Sequence, residues 1–419
     1  MVLIALTLRL AVVAFLYPQR LNPDRDHWRF AGETGRIARS IAQGRGFSSP
    51  LHADTGPTAW MTPAYPALLA GVFKVFGVYT TASALIMLSV DSLFSALTCI
   101  PVFLIARKRY GDRVAIWAGW AWAFFPYAIY FSADFIWATT LTTLVLTWIF
   151  YAALSLEETD SRANWAAFGL LCGISALIDP VVLSVGVPVA AWMTFRLWPR
   201  RRWIGSSAAA LVVFAAVVSP WFVRNYRVFH TVIPFRDNIG LELYLGNNGE
   251  TWHFAPGGFH PSDTPREWAE FQQLGELKYM QHKRAEAFEF IQEHPAFFVR
   301  LSLRRALYMW TNFWSFSRRY LAAEPTDPFN MFLCSALTML ALIALVRAFR
   351  EDWTSAMPFA IALFCFPLVY CVTHPEDYYR RPIDPIFVVL AVAALASVRA
   401  REESRIEEEA DDGELVLTA

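Results

Sequence analysis

Val114–Ala133 (VAIWAGWAWAFFPYAIYFSA) and Phe135–Leu156 (FIWATTLTTLVLTWIFYAALSL) run for 20 and 22 residues with one charged residue, Asp134, between them. At 1.5 Å of rise per residue, a helix of about 20 apolar residues spans the hydrocarbon of a bilayer. The same pattern recurs along the chain. Further stretches free of Asp, Glu, Lys and Arg are Ala163–Ile178, Pro180–Phe195, Trp203–Val223, Pro328–Val346 and Trp353–Pro375. Three weaker ones are Val2–Tyr17 interrupted by Arg9, Thr80–Ala106 interrupted by Asp91, and Pro382–Val398 interrupted by Asp384. The reading is an all-α polytopic membrane protein of about ten transmembrane helices. Asp179-Pro180 leaves almost no loop between two of the shortest spans, so a re-entrant pair is an alternative there.

Composition agrees. Of 419 residues, 56% are hydrophobic and 17% charged, against about 25% charged in an average soluble domain, which excludes a disordered chain or an ordinary soluble one. Lys+Arg and Asp+Glu are both 36, so the net charge is zero and nothing points to nucleic acid. Five cysteines, an odd number, all in or beside apolar spans, imply no disulfide framework. No internal repeat of the transporter kind is visible, and no CxxC, HExxH, GxSxG or Walker motif occurs.

Basic residues cluster after alternate spans: Arg107-Lys108-Arg109 with Arg113, Arg196 with Arg200-Arg201-Arg202, Arg347 with Arg350, and Arg399, Arg401 and Arg405. These ends, and the C-terminus, are assigned to the cytoplasm. Two long segments then face outward, roughly Pro18–Tyr79 and Arg224–Asp327. The organisation is a transmembrane core over 1–222 containing the first outward loop (18–79) with its surface helices, a large outward segment over 223–327 with interfacial helices, C-terminal transmembrane helices over 328–399, and an acidic cytoplasmic tail over 400–419 without a packed core. Val2–Tyr17 lacks a basic n-region and a cleavage site, and reads as an anchor helix.

In the first outward loop, Ile37, Ala38 and Ile41 make one apolar stripe, with Glu33 in the first turn and Gly44 as the stop. This predicts a short amphipathic surface helix with a carboxylate at its positive end. Asp26 precedes it. In the second outward segment, Asp263-Thr264-Pro265 and His294-Pro295 bound a helix from about Thr264 to Glu293, followed by an aromatic and basic interfacial helix over Ala296–Trp314. Acids at the spans also call for an account: Asp134 and Asp179 fit helix caps, and Asp91 either pairs with Arg9 or lines a cavity.

The succession of an acid, IARSIAQGRGF (37–47) and TGPTAWMTPAYP (55–66) resembles the first outward loop of bacterial polytopic glycosyltransferases of the GT-C superfamily. The resemblance is to the family 39-like group, related to protein O-mannosyltransferases and lipid A aminoarabinose transferases. PWFVRNYR (220–227), LGNN (245–248), AFEFIQEHP (287–295) and YRRPIDP (379–385) extend it over nearly the whole chain. It implies transfer of a sugar from a polyprenyl-phosphate donor to an acceptor, with inversion, in a cavity on the outer face of a bacterial inner membrane. Membrane lipids are the other partner, and the acceptor, whether glycan, lipid or protein, is left open. Where the family carries its loop acid this chain has Phe30, so Glu33 is preferred as general base and Asp26 is the alternative.

Such a reaction needs a carboxylate to take the acceptor's proton and cations to hold the departing phosphate. Arg224 and Arg227 at one membrane exit, and Arg380 and Arg381 before the last helix, are the candidates for the phosphate. Basic residues on a short outward loop run against topological preference. His374, Asp377, Tyr379 and Asn247 are accessory candidates. No metal site is assigned and no cofactor is certain, with a divalent cation left open. The alternative is a transporter or flippase of a lipid-linked saccharide.

Overall fold

The structure, a computed structural model, describes residues 1–20, 26, 28–159, 161–197, 203–251, 258–312, 315–323, 327–376 and 378–397. The expected acidic tail, the Arg200-Arg201-Arg202 cluster and the accessory candidate Asp377 lie outside these. Among the described residues the fold is helical, with one isolated β-bridge, Ser48 to Pro57. The helices are α1 (Val2–Arg20), α2 (Gly32–Ala42), α3 (Ala64–Phe76), α4 (Thr81–Leu97), α5 (Cys99–Ala123), α6 (Pro126–Asp134), α7 (Thr139–Ser155), α8 (Arg162–Ala176), α9 (Leu183–Leu197) and α10 (Trp203–Phe229). After them come α11 (Ile239–Gly246), α12 (Pro265–Leu274), α13 (Glu276–Glu293), α14 (Pro295–Thr311), α15 (Arg318–Ala323), α16 (Asp327–Cys365), α17 (Leu368–Val372) and α18 over 384–397.

Three helical stretches among the described residues are long and apolar enough to cross a membrane, Thr81–Ala123, Trp203–Phe229 and Asp327–Val372. The count of ten is therefore not reached by length and composition. Helices α7, α8 and α9, at 17, 15 and 15 residues, fall short of the span length. Two of the long stretches are broken. Gly111, at φ 83°, interrupts α5, and a Cβ on Gly119 would lie 3.8 Å from the Cβ of Phe103, so the halves fold against one another. Asp352 breaks α16 in the same way. The backbone of Trp310 accepts from Thr338, and its ring packs on Phe364 at 4.9 Å, which brings both halves of α16 to one residue.

The charged breaks gather at one end. Glu157 accepts from Arg109 at 2.6 Å and Arg196 at 2.7 Å, and Arg109 also reaches Ser355 Oγ at 3.0 Å. Residues from four separate connections thus meet where the sequence puts the cytoplasmic face. Within the bundle, Arg9 is fully buried, but its partners are Ser95 Oγ and the carbonyls of Ala5, Trp122 and Ala123, not Asp91. Asp91 accepts from Tyr65 Oη at 2.8 Å. The proposed Arg9–Asp91 pair is therefore corrected: α4 presents Ser95 to Arg9, one turn beyond Asp91.

At the other end lie the polar segments. Helix α2 covers the expected stripe but is largely buried against α3 rather than lying free on a membrane surface. The single helix expected from Thr264 is two, because Gly275 at φ 72° separates α12 from α13; Thr264 caps α12 as expected. Helix α11 docks through LGNN. A Cβ on Gly246 would sit 1.8 Å from the Thr373 carbonyl, and Asn247 Nδ2 donates to the carbonyls of Leu243 and Val372 at 2.8 and 2.9 Å.

The two ends give an expectation for sidedness. In intact cells, an impermeant thiol reagent should label Glu250→Cys beyond α11 and spare Lys108→Cys at the α5 break; the opposite pattern would invert the topology.

Candidate functional site

The polar end of the bundle encloses a cavity of about 850 Å³, within the usual range for a ligand site. One wall is the start of α2. Asp26 accepts from Arg36 Nε through both oxygens at 3.1 and 3.0 Å, with Arg39 at 3.7 Å and His52 at 3.8 Å. Its lone pairs are committed to cations. Glu33, 8% exposed, has only longer contacts, Arg36 at 3.9 Å and His260 Nε2 at 3.5 Å. Both acids line the cavity, and Glu33 has the freer oxygens toward it. His52 is shifted below its usual value by burial and then by Arg36, which favours a neutral ring.

The facing wall combines the Thr231–Asn238 strap, α11 and the segment before α18. Glu242 accepts from Asn238 Nδ2 at 2.8 Å and lies 3.2 Å from His374 Nε2. Burial, then Arg305, push His374 down to about 3, and burial pushes Glu242 up to about 7. With the imidazole held neutral, this close contact is not an ion pair. His374 stacks on Tyr379, and Tyr379 on Tyr370 at 4.6 Å. Arg236 enters the cavity between Asp179 and Glu242. Burial opposes its charge, but Asp179 and Glu242 outweigh burial and hold the guanidinium above its usual value. Among the described residues it makes no side-chain hydrogen bond or ion pair, so its donors remain available.

The other basic candidates are placed differently. Arg224 donates to the carbonyls of Thr58 at 2.7 Å and Phe47 at 2.9 Å, with its guanidinium over the rings of Phe47, Trp221 and Phe229. Arg227 is exposed on the last turn of α10. Arg380 and Arg381 both pair with the fully buried Asp384, each at 2.7 Å; Arg380 also meets the Trp310 carbonyl, and Arg381 meets Asn312 and lies over Tyr127. None of the four lines the cavity. Of the accessory residues, His374 and Tyr379 line it and Asn247 does not.

Asp179 has two roles. It caps Val181 N at 3.1 Å, as expected, and it faces the cavity. Asp134 is not a cap: it ends α6 and pairs with Arg29 at 3.1 Å. Reading the sequence alone missed Arg236, Glu242 and His260. Outside the cavity, Glu270, His282 and Glu286 bring three potential metal-ligand atoms within 4.8 Å of one another. The ammonium of Lys283, 2.9 Å from each of Glu267, Glu270 and Glu286, already supplies a cation to that cluster.

Residues 60–223 match the family model described as dolichyl-phosphate-mannose-protein mannosyltransferase. Among solved structures, the Archaeoglobus fulgidus oligosaccharyltransferase in complex with Zn and sulfate aligns with TM-score 0.54 and 15% identity, over 96% of this chain and 50% of that one. ArnT from Cupriavidus metallidurans bound to undecaprenyl phosphate aligns with TM-score 0.50 and 15% identity, over 93% and 60%. The archaeal oligosaccharyltransferase AglB from A. fulgidus, in complex with an inhibitory peptide and a dolichol-phosphate, aligns with TM-score 0.54 and 15% identity, over 98% and 52%. No curated protein matches the chain. The chain spans about half the length of the oligosaccharyltransferase structures and 60% of ArnT. At these identities the likeness is one of fold. What the comparisons give is thus a mannosyltransferase family model matched over residues 60–223 and a helical fold shared with the oligosaccharyltransferase and ArnT structures.

Glu242 gives a pH test. Its folded value of about 7 exceeds the ordinary 4.5, so its contribution to stability is full below 4.5 and lost as pH rises through 7. As pH rises through that window wild type should lose about 3 kcal/mol of stability relative to Glu242→Gln; parallel pH profiles would contradict the burial of its charge.

Proposed function

We propose that this protein is a glycosyltransferase that moves a sugar from a polyprenyl-phosphate donor to an acceptor on the outer face of the bacterial cell membrane, in a bundle that crosses about ten times. The observation that carries the reading is the cavity itself: a lightly held carboxylate, Glu33, on one wall and an unengaged guanidinium, Arg236, on the other. The match to the mannosyltransferase model and the fold shared with ArnT, solved with undecaprenyl phosphate, support it.

The chemistry asks for little else. Glu33 takes the proton of the acceptor group as its oxygen or nitrogen attacks the anomeric carbon; the bond from that carbon to the phosphate oxygen breaks, and the phosphate leaves with the electron pair. General-base assistance of this kind is worth about 10²–10⁴-fold. Negative charge grows on the leaving phosphate, where the fork of Arg236 can donate two hydrogen bonds. Inversion follows from a single displacement, with no second carboxylate acting as nucleophile. Asp26 orients Arg36 and, through it, the start of α2. The phosphate role expected of Arg224, Arg227, Arg380 and Arg381 passes to Arg236, because the first and last two of those spend their donors on carbonyls and Asp384.

Two variants of the full chain test this with undecaprenyl-phosphate-linked sugars. Glu33→Gln should retain undecaprenyl phosphate binding and lose about 10²-fold or more in release of the carrier from its sugar. Arg236→Lys should weaken binding by about 1–3 kcal/mol. If Asp26→Asn abolishes turnover while Glu33→Gln does not, the base is Asp26; unchanged carrier binding in Arg236→Lys would remove the phosphate assignment.

A further inference from the structure

The proposed function leaves unexplained how Arg236 is held at the cavity wall without a partner of its own. The strap that carries it, Thr231–Asn238, is pinned on both sides. Asn225 Nδ2 donates to the Ile233 carbonyl at 3.0 Å and Trp221 Nε1 to the Phe235 carbonyl at 2.7 Å, both from α10. On the far side, the Asp237 N–H donates to the Ala59 carbonyl at 3.1 Å. The side chain of Asp237 then poses a problem. Both of its carboxyl oxygens are buried and accept no hydrogen bond among the described residues. Its neighbour is another carboxyl, Glu276 at the start of α13, which accepts from the N–H of the same Ala59 whose carbonyl takes the Asp237 N–H, and the two acids act on each other electrostatically.

Two neighbouring carboxyls in a buried site cannot both be ionised without cost, because each destabilises the charge of the other and burial removes their solvation. We propose that Asp237 and Glu276 share one proton as an acid–carboxylate pair, and that this pair is a positioning device that sets Arg236 toward the phosphate of the donor. The inference rests on the function proposed above for its consequence, but not for the existence of the shared proton.

The surroundings decide which group keeps the proton. Glu276 accepts from Thr58 Oγ1 at 2.6 Å and from the Ala59 N–H at 2.7 Å. Arg224 of α10, which donates to the Thr58 carbonyl, faces Glu276 electrostatically. These donors favour the charge on Glu276. Asp237 lacks such side-chain and loop donors, so its O–H donates to a Glu276 oxygen, which satisfies one of its two orphaned oxygens. The groups around the pair are thus Asp237 from the strap, Glu276 from α13, Arg224 from α10 and the two donors of the first outer loop. Burial first, then Glu276, hold Asp237 well above the carboxylate range. One clasp then joins three segments. The Ala59 peptide receives Asp237 on its carbonyl and gives its N–H to Glu276. Loss of the shared proton would put two negative charges behind Arg236 and loosen the strap on that side.

The sign of the pH dependence follows. A carboxyl whose folded value is raised stabilises the fold fully below its ordinary range, and that stability is lost as pH rises through the raised value. Asp237→Asn replaces the acid by an amide that donates to Glu276 at every pH, whereas Asp237→Ala leaves Glu276 without that donor.

The experiment compares the full-length wild type, Asp237→Asn and Asp237→Ala in detergent by three readouts: melting temperature against pH, infrared difference spectra in the protonated-carboxyl region, and binding of undecaprenyl phosphate near pH 8. There the phosphate monoester is fully ionised and does not titrate. Wild type should lose melting temperature relative to Asp237→Asn as pH rises, and should carry a protonated-carboxyl band that Asp237→Asn lacks. Carrier binding should stay within about twofold in Asp237→Asn and weaken about tenfold in Asp237→Ala. Coincident melting profiles with no difference band would overturn the shared proton, and Asp237→Ala binding the carrier as wild type does would overturn the positioning role. Should Asp237→Ala not fold, weaker carrier binding in Asp237→Asn by tenfold or more would equally overturn it. If wild type binds no undecaprenyl phosphate at any pH, the proposed donor fails, while the melting profiles and the infrared band still decide the pair.

Discussion

Glu276 reaches from α13 to the first outer loop and takes the hydroxyl of Thr58 and the amide of Ala59 at 2.6 and 2.7 Å. The geometry of the cavity depends on this contact. Residues 47–62 have no sheet or long helix of their own, so their peptide groups must find partners elsewhere. Arg224 takes the carbonyls of Phe47 and Thr58, Asp237 takes that of Ala59, and Thr62 donates to Ile178 at 2.7 Å. Four distant parts of the chain are therefore located by one loop. Trp60, Met61 and Thr62 from it line the cavity, so the hub that holds the outer segments together is also its floor.

A second constraint is the disposal of charge beside the membrane. A buried ion is tolerated only where it is paired and its remaining donors are satisfied. Asp384 supplies the counter-charge to Arg380 and Arg381 at once, and the carbonyls of Trp310 and Cys334 take Nη1 of Arg380. Arg305 is held by the carbonyls of Gly246, Cys371 and Val372. These cations are structural in the plain sense that most of their donors are already used, with Arg305 Nε, Arg380 Nη2 and Arg381 Nε the exceptions. Arg236 differs because its two acidic neighbours, Asp179 and Glu242, stand off beyond ion-pair distance and leave its face toward the cavity.

That contrast also marks how far the sequence could be read. The class of fold was legible, because apolar runs near the length of a bilayer and alternating basic clusters are set by the solvent itself. The number of crossings was not, since helices such as α8 and α9 are shorter than a span and depend on their neighbours. Glu33 was visible from its place in the first turn of an amphipathic helix. For Arg380 and Arg381 the sequence holds a signal of their pairing: Asp384 stands three and four residues after Arg381 and Arg380, the spacing at which helical side chains meet. By apolar run length alone, Asp384 is only an interruption of a span. Likewise PWFVRNYR and LGNN, which carried the resemblance, hold the scaffold: Trp221 and Asn225 pin the strap, and Asn247 joins α11 to Val372. Arg236 had no motif to announce it. The signal was the short polar run after α10, Arg236-Asp237-Asn238, and its meaning depended on contacts with Ala59 and Glu276 that are remote in sequence.

The central claim is that Glu33 and Arg236 face one reacting centre across a single cavity. A structure of the full chain with undecaprenyl phosphate bound tests it most directly. The account predicts the phosphate within hydrogen-bonding distance of the Arg236 guanidinium, with the side of the phosphate that would carry the sugar turned toward Glu33. A phosphate held instead at Arg224 or Arg227, with the space between Arg236 and Glu33 closed to it, would contradict the account.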